Sequence, residues 1–341
     1  MQEFKDIISV IVCTYNQEDT ISRTLDSILS QECHLPIEIV IGEDGSTDRT
    51  LAVCQQYQEQ HPDTIRILAN KPNKGFVRNY FDCLRACRGK YIADCSGDDF
   101  WIDNLKLEQE SLILDSNQDV GIVHTNWLRH YEETGELQPS SDSPQRERTT
   151  ESPQISFQED LEGAVLMPIE RPAIHLCTSL YRNDWIRQAM QDFPRFFDPD
   201  TYQCEDVQIA FFLARMGRVA YIDKPTLAYT CGSTTISNPN TEEKQFLFWA
   251  NTTRLSFDLA QAFDIRNDQL DRFFQARIHK LLMHAFRSGK PSLRKKALAM
   301  QKEMNVADNR QIRLAKVLLL PAIWQIMRFV RNVIKSSKTQ K

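Results

Sequence analysis

Short apolar runs alternate with amphipathic stretches along residues 8–127 of the chain. The apolar runs are rich in Ile and Val, which predicts strands buried on both faces; they lie at 8–15, 37–44, 65–70, 91–96 and 120–127. The stretches between them place apolar residues at helical spacing and predict helices; these lie at 18–31, 46–60, 76–87 and 104–116. Such short alternation is typical of an α/β domain with a mostly parallel, Rossmann-like sheet flanked by helices.

The alternation breaks in the second part of the chain. Residues 131–160 are dominated by Ser, Pro, Glu and Gln, and a loop of this length in a compact domain is usually functional or mobile. A strand–helix–strand pattern returns at 177–182, 205–217 and 219–223. From about 241 onward the pattern is helical. The sequence therefore predicts an α/β domain over 1–240 and a helical extension over 241–341.

Composition and charge restrict the class of protein. A net charge of -5 over 341 residues provides no field that would attract nucleic acid. The first residues lack the basic and apolar pattern of a signal peptide, and no apolar run approaches the ~18 residues that a membrane span needs. Nine cysteines without a CxxC motif indicate reduced thiols. We therefore expect a cytoplasmic protein.

Polar motifs follow three of the predicted strands, at Thr14–Asn16, Glu43–Asp48 and Gly97–Asp99. In open parallel sheets, ligands bind beyond the carboxyl ends of the strands. The adjacent carboxylates of Asp98 and Asp99 repel each other, and two interpretations remain open. They either provide capping groups for the next element or hold a hard cation, Mg²⁺ or Mn²⁺, together with substrate phosphates.

Two further acidic motifs also have two interpretations each. The segment GEDGSTDRT at 42–50 is either a turn followed by a helix cap or a loop whose Asp44 binds a nucleoside. Glu205 and Asp206 open an apolar helix, where acids are favoured by the helix dipole. Alternatively, one of them is the general base that takes a proton from a hydroxyl nucleophile.

The order of these motifs resembles that of family 2 glycosyltransferases. VCTYNQEDTISRTLDSILSQ is followed by IEIVIGEDGSTDRT, by NKGFVRNYFDCLRACRGKYIADCSGDDFW and by a later ED before GRVAYID. The resemblance covers residues 6–128 and, more thinly, 170–236. It implies a GT-A fold and a transferase that moves a sugar from a nucleotide-sugar, UDP-linked in the first instance, with inversion.

The resemblance also implies roles for individual residues. Donor-binding positions are Thr14, Tyr15, Asn16, Glu18, Asp44, Gly45, Ser46, Asn73, Lys74, Gly75, Arg78 and Asp98. The metal, Mg²⁺ or Mn²⁺, is assigned to Asp98 and Asp99, and catalysis to Asp206 as base with Glu205 beside it. Where the family often carries a further aspartate, this chain has Ser96. The implied acceptor is a hydroxyl of a glycan or of a lipid-linked glycan in cell-surface polysaccharide assembly.

Two other functions compete with this one. A nucleotidyltransferase that forms nucleotide-sugars has a Gly-rich, basic loop after its first strand, whereas this chain has TYNQEDT there. A non-catalytic nucleotide-binding scaffold is disfavoured by the four acids Asp44, Asp98, Asp99 and Asp206.

The carboxyl-terminal residues have an unusual charge pattern. Residues 311–341 contain Lys and Arg but neither Asp nor Glu, and 317–334 are apolar and amphipathic. This tail either packs on the protein as a terminal helix or lies on an anionic membrane surface, with Arg328, Arg331 and Lys335 near the headgroups. The second interpretation predicts peripheral contact with the inner face of the cell membrane.

Overall fold

A computed structural model describes residues 4–139, 155–167, 174–232, 241–320 and 323–324. The chain divides into two compact units between Gly232 and Ser233. The boundary predicted at residue 240 lies outside the described residues and stays a prediction.

Within the described part of the first unit, ten strands form one sheet. The strands are β1 (Lys5–Thr14), β2 (Ile37–Glu43), β3 (Ile65–Ala69), β4 (Gly89–Asp94), β5 (Phe100–Trp101), β6 (Val120–Tyr131), β7 (Glu136–Pro139), β8 (Ile155–Gln158), β9 (Ser179–Arg182) and β10 (Arg218–Cys231). Their order is β3-β2-β1-β4-β9-β6-β10-β5, with β7 paired to β6 and β8 to β10.

The half of the sheet that contains β1 to β4 is parallel, as the alternating pattern predicts. The other half is mixed: β6 and β10 are parallel to each other, and β9 lies antiparallel between β4 and β6. The predicted α/β class with a mostly parallel central sheet is confirmed. Because β1, β2 and β4 run in the same direction, their carboxyl ends lie side by side.

Helices flank this sheet. They are α1 (Ile21–Leu29), α2 (Thr50–Gln60), α3 (Phe76–Ala86), α4 (Lys106–Ser116), α5 (Glu162–Val165), α6 (Asn183–Asp192) and α7 (Asp206–Met216). Leu25 and Ile28 of α1 pack with Val10 of β1 in the hydrophobic core, and none of the three side chains is exposed. Burial of each such side chain contributes about 1.5–3 kcal/mol to folding.

The predicted start of α2 is wrong by one turn. The helix begins at Thr50 rather than Ser46, because the Asp48 carboxylate accepts hydrogen bonds from the backbone N–H and the hydroxyl of Thr50, at 2.9 and 2.6 Å. Ser46 and Thr47 instead bond to the loop that follows β1. The local bonds of Asp48 and the contacts between the two loops together start the helix one turn later than the sequence favours.

The polar stretch 131–160 contains strands that its composition does not predict. The end of β6, β7 and β8 all lie in it, and β7 and β8 are short additions to the sheet. Their apolar side chains Leu137, Ile155 and Phe157 are exposed, so the amphipathic signal of a buried strand is weak here. Residues 140–154 lie outside the described residues.

The second unit is helical where it is described, which confirms the predicted extension. Its helices are α8 (Glu242–Ala262), α9 (Asp268–Ser288), α10 (Pro291–Glu303) and α11 (Arg310–Leu318). The side chains of Thr241, Asn267 and Asn309 cap α8, α9 and α11. Along the described stretches of the chain, we find no helix long and apolar enough to span a bilayer. The basic tail beyond Trp324 lies outside the described residues, so its two interpretations stay predictions.

Candidate active site

The loops after β1 and β2 are joined by hydrogen bonds at the carboxyl edge of the sheet. The backbone N–H of Asn16 donates to Ser46 Oγ at 3.0 Å, and Asn16 Oδ1 accepts from the backbone N–H of Thr47 at 2.8 Å. Asn16 has a positive φ of 52°, a conformation that Asn tolerates better than most residues. The Glu18 carboxylate accepts from the N–H of Arg49 at 2.9 Å. Four of the predicted donor-binding positions, Tyr15, Asn16, Glu18 and Ser46, thereby lie on one rim, with the Tyr15 ring exposed.

Asp44 holds a third loop against these two. Its carboxylate is buried and accepts hydrogen bonds from the N–H groups of Lys74 and Gly75, at 2.8 and 2.9 Å, and from Asn70 Nδ2 at 3.0 Å. The residue after it, Gly45, has a φ of +72°, and a Cβ there would lie 3.0 Å from the backbone nitrogen of Asn73. The loops therefore touch backbone to backbone, and Asp44 has the geometry of a loop anchor.

The remaining residues of the third loop lead into α3. Asn73 Oδ1 accepts from the N–H of Gly75 at 2.9 Å. Lys74 pairs with Asp82 at 2.9 Å, and Arg78 pairs with Asp200. All of these contacts lie at the surface, so both cations are available to exchange a carboxylate partner for a ligand phosphate.

The turn from Ser96 to Asp99 packs closely on the loop after β1. A Cβ on Gly97 would lie 2.5 Å from Gln17 Oε1 and 2.8 Å from Thr14 Oγ1, so only glycine fits. The Thr20 hydroxyl donates to the Gly97 carbonyl at 2.9 Å. This contact holds the aspartate turn, residues 96–99, against Thr14 and Gln17 of the loop after β1.

The two adjacent aspartates occupy different environments. Asp99 is 1% exposed, and its Oδ1 accepts a hydrogen bond from the backbone N–H of Thr230 at 2.8 Å. Asp98 is half-buried, and its backbone carbonyl accepts from the Thr230 hydroxyl at 2.5 Å and from Arg23 at 3.2 Å. Both motif acids are present at the sheet edge, but only the Asp98 side chain is partly open to a ligand.

The electrostatics of the pair suit a divalent cation. Burial raises the pKa of Asp98, and Glu132 raises it further. Burial and then the neighbouring Asp98 raise the pKa of Asp99 well above its ordinary value. Among the residues that the structure describes, the cation that opposes these charges is Arg23, whose Nη2 lies 3.8 Å from Glu132 Oε1. Acids thus outnumber bases here.

The donor set fits Mg²⁺ or Mn²⁺ better than a closed protein cage. No third Cys, His, Asp or Glu ligand atom of a described residue joins Asp98 and Asp99 in a cluster of 4.8 Å. Mg²⁺ typically binds through one or two carboxylates and completes its shell with water and substrate phosphates. Asp98, with Asp99 behind it, matches that pattern.

Glu205 and Asp206 begin α7 as predicted, and their surroundings differ. Asp206 is exposed, and its Oδ1 accepts from the N–H of Val207 at 2.7 Å and from Cys204 Sγ at 2.8 Å. Glu205 is half-buried. Burial raises the pKa of Glu205 well above its ordinary range, with further increases from Asp206 and Asp94. The charge of Asp94, at the end of β4, thus acts on Glu205.

The sequence analysis missed three residues near the candidate acids: Arg23 and Thr230 beside Asp98 and Asp99, and His175, on which the charge of Asp206 acts. His175 lies between the rings of Trp127 and Tyr229, at centroid distances of 5.6 and 5.4 Å. Burial lowers the pKa of His175, while the charge of Asp206 opposes that shift. Arg23 lies 4.3 Å from the centroid of the Phe100 ring. A single His, an Arg inside an amphipathic helix and a Thr at a strand end carry no motif, so only folding reveals His175, Arg23 and Thr230.

Comparison with known proteins agrees with this geometry. The sequence model of a family described as glycosyl transferase family 2 matches residues 9–200. The chain is 36% identical over 115 residues to an uncharacterized protein of Mycobacterium bovis, which covers 34% of this chain and 33% of that protein. It is 35% identical over 99 residues to WfaP of Escherichia coli, named UDP-Glc:alpha-D-GlcNAc-diphosphoundecaprenol beta-1,3-glucosyltransferase, covering 28% of this chain and 37% of WfaP.

Among solved structures, the chain is similar to residues 1–349 of TarS from S. aureus in complex with UDP-GlcNAc. The TM-score is 0.61 at 14% identity, covering 96% of this chain and 92% of that one. Because the sequence identity is only 14%, this likeness establishes the fold alone. The chain spans about a third of the length of the curated relatives described above.

Proposed function

The chain belongs to glycosyl transferase family 2 and has its GT-A fold, and from that premise we propose that it is a metal-assisted, inverting glycosyltransferase that takes its sugar from a UDP-sugar. The acceptor we propose is a hydroxyl of a glycan or lipid-linked glycan in cell-surface polysaccharide biosynthesis. The observation that carries the proposal is the meeting of three loops, those of Asn16, Asp44 and Asp98, beside the acids that begin α7.

In this proposal the donor lies along the carboxyl edge of β1, β2 and β4. The rim of Tyr15, Asn16 and Ser46 borders the base and ribose. Asp44 keeps the 70–75 loop in place, and Arg78 exchanges Asp200 for a phosphate oxygen. Asp98 faces the diphosphate. A divalent ion bound there supplies positive charge that stabilises the nucleoside diphosphate leaving group.

We assign the proton transfer to Asp206. An inverting displacement needs a base on the face of the sugar opposite the leaving group, within hydrogen-bond reach of the acceptor hydroxyl. Asp206 is exposed and fixed by the N–H of Val207, so its carboxylate is oriented while remaining accessible. Glu205 is half-buried and therefore less accessible to an acceptor hydroxyl, so we give it a supporting role beside Asp206.

Two observations support the choice of donor and acceptor. TarS, which shares the fold, was solved with UDP-GlcNAc, and WfaP is named for a UDP-Glc donor and a diphosphoundecaprenol-linked acceptor. An acceptor anchored in a lipid fits a protein that works in the cytoplasm and touches the inner face of the membrane peripherally. The half-buried rings of His175 and Tyr229, with His175 packed on the buried ring of Trp127, are suited to an acceptor sugar, whose C–H faces stack on rings.

The first experiment is calorimetric titration of UDP, with and without Mn²⁺, into the wild-type protein and the Asp98→Asn variant. We expect binding that requires the metal and is lost in the variant. GDP and dTDP in the same cell are the specificity controls. Failure of all three nucleotides to bind would overturn the proposal, and preference for GDP or dTDP would overturn the UDP assignment alone.

A further inference from the structure

The helical unit contains two cations that converge on one indole ring. Lys280 Nζ lies 3.3 Å from the centroid of Trp249. Arg277 Cζ lies 4.2 Å from the same centroid and 4.8 Å from that of Phe273. Phe273, Arg277 and Lys280 follow one another at helical spacing along a single face of α9, and Trp249 meets them from α8. We call these four residues the indole cluster.

The cations of the indole cluster lack acidic partners. Across the described part of the chain, no carboxylate forms an ion pair or a hydrogen bond with Arg277 or Lys280. Cations farther along the same helix pair do have such partners: Arg287 lies 2.9 Å from Glu242, and Lys290 pairs with Glu243. The difference between neighbouring positions shows that α8 supplies acids to one end of this face and an aromatic ring to the other.

The cost of this arrangement is visible in the basicity of both groups. Burial lowers the pKa of Arg277 to about 10. Burial, followed by the charges of Arg277 and Arg287, lowers the pKa of Lys280 to about 8. An indole face attracts a cation only weakly and carries no charge of its own. Trp249, Arg277 and Lys280 are half-buried, so both cations can be reached from solvent, and no described carboxylate is their counterion.

We propose that the indole cluster is a binding site for a phosphate group. The planar guanidinium of Arg277 can donate two parallel hydrogen bonds to phosphate oxygens, and Lys280 adds a point charge. Two cations match the charge of about −2 on a phosphate monoester at neutral pH. The half-buried indole of Trp249 beside them accommodates the organic part of the ester. The ligand is thus a phosphate ester, either in a lipid headgroup or on a water-soluble glycan.

The site does not depend on the proposed transfer reaction, since its four residues all belong to the helical unit. Labelling of wild-type protein tests it directly. At pH 8, an amine-reactive reagent modifies Lys280 readily because its pKa is lowered, and mass spectrometry quantifies the modified peptide. Inorganic pyrophosphate should slow labelling of Lys280 about tenfold at saturation and leave exposed Lys296 of α10 unchanged. Equal labelling with and without pyrophosphate would overturn the proposal.

Variants then distinguish the two sources. The pair Arg277→Gln with Lys280→Gln is compared with Lys295→Gln and Lys296→Gln, which remove the same charge from exposed positions of α10. Vesicles of phosphatidylcholine with phosphatidic acid, whose headgroup is a phosphate monoester, and vesicles of phosphatidylcholine alone, are sedimented with each protein. A lipid headgroup ligand predicts loss of sedimentation with anionic vesicles in the cluster variant but not in the control variant.

A soluble phosphate ester predicts equal sedimentation of both variants while pyrophosphate still protects Lys280 in the wild type. If pyrophosphate does not protect Lys280 and the two variants sediment alike, the proposed phosphate site is contradicted altogether. UDP binding, measured in parallel, should be unchanged in the cluster variant, so that a failed donor site and a failed phosphate site give different results. Single Lys280→Gln provides the same comparison with the smaller change in packing.

Discussion

Asp99 Oδ1 accepts the backbone N–H of Thr230 at 2.8 Å, across 131 residues of sequence. This bond turns Asp99 inward and ties the aspartate turn to β10, while Asp98 remains partly open. The two neighbouring carboxylates therefore have separate tasks in the structure: one orders the turn, and the other faces the place where we propose the donor diphosphate and its metal. Adjacency in sequence is tolerated because the two groups do not share one environment.

We predict different consequences for the two aspartates. Asp99→Ala leaves the N–H of Thr230 buried without its acceptor and should cost about 1–3 kcal/mol in the free energy of unfolding. Asp98→Asn should change stability little but abolish the metal-dependent binding of UDP. Urea unfolding and calorimetry measure the two effects. Loss of stability in Asp98→Asn, with unchanged UDP binding, would reverse this assignment.

Asp206→Asn should lower turnover by about 10²–10⁴-fold, the usual contribution of a general base. UDP binding should remain within about twofold of the wild type because the variant lacks only the proton acceptor. The rate of UDP release from the best UDP-sugar donor measures the effect. Glu205→Gln is the matched control and should lose less activity. A larger loss of activity in Glu205→Gln than in Asp206→Asn would show that Glu205, and not Asp206, is the general base.

Asp44→Ala should destabilise the first unit and weaken UDP binding together. The buried carboxylate accepts from Lys74, Gly75 and Asn70, and an unpaired buried donor costs about 1–3 kcal/mol. Asp82→Ala removes the surface partner of Lys74 and Arg85 and should change stability by less than about 1 kcal/mol. Chemical unfolding of both variants provides the comparison. Equal stabilities would mean that Asp44 does not anchor the loop.

Gly97→Ala should abolish UDP binding in a protein that still folds. The added Cβ would lie 2.5 Å from Gln17 Oε1 and 2.8 Å from Thr14 Oγ1, so the aspartate turn must shift away from the loop after β1. Gly232→Ala is the control because a Cβ there meets nothing within 4 Å. Calorimetry on both variants tests the prediction, and normal UDP affinity in Gly97→Ala contradicts the close approach.

Asp94 should make stability depend on pH. Burial raises its pKa to about 7, and the hydroxyls of Tyr80 and Tyr181 and the charge of Lys106 oppose that shift. A carboxyl whose pKa is higher in the folded state binds its proton more tightly there, so stability falls as pH rises from the unfolded pKa of about 4 to about 7.

The Asp94→Asn variant removes that titration and should flatten the dependence. Between pH 4 and 8, the free energy of unfolding of the variant should rise by a few kcal/mol relative to that of the wild type, since one pKa unit corresponds to about 1.4 kcal/mol. Thermal unfolding at several pH values measures it. Parallel pH profiles for the two proteins would show that Asp94 ionises without cost.

The order of the main elements and the location of the candidate site could both be predicted from the sequence. Buried parallel strands are continuous apolar runs, so β1 to β4 and the helices between them were predicted, as was the helical extension. The motifs also indicated which loops meet, because strand direction alone brings the carboxyl ends of β1, β2 and β4 to one edge. Their individual roles toward donor and metal remain predictions.

What the tertiary structure decided were relationships between distant residues. No local pattern reveals that the backbone N–H of Thr230 donates to Asp99. Nor does one reveal that His175 and Arg23 lie near the acids, or that β7 and β8 extend the sheet from a polar stretch. The start of α2 moved because Ser46 and Thr47 bond to another loop. Sequence determined which side chains carry charge and which loops follow β1, β2 and β4. Only folding determined which charges are neutralised, because pairing depends on contacts between segments far apart in the chain.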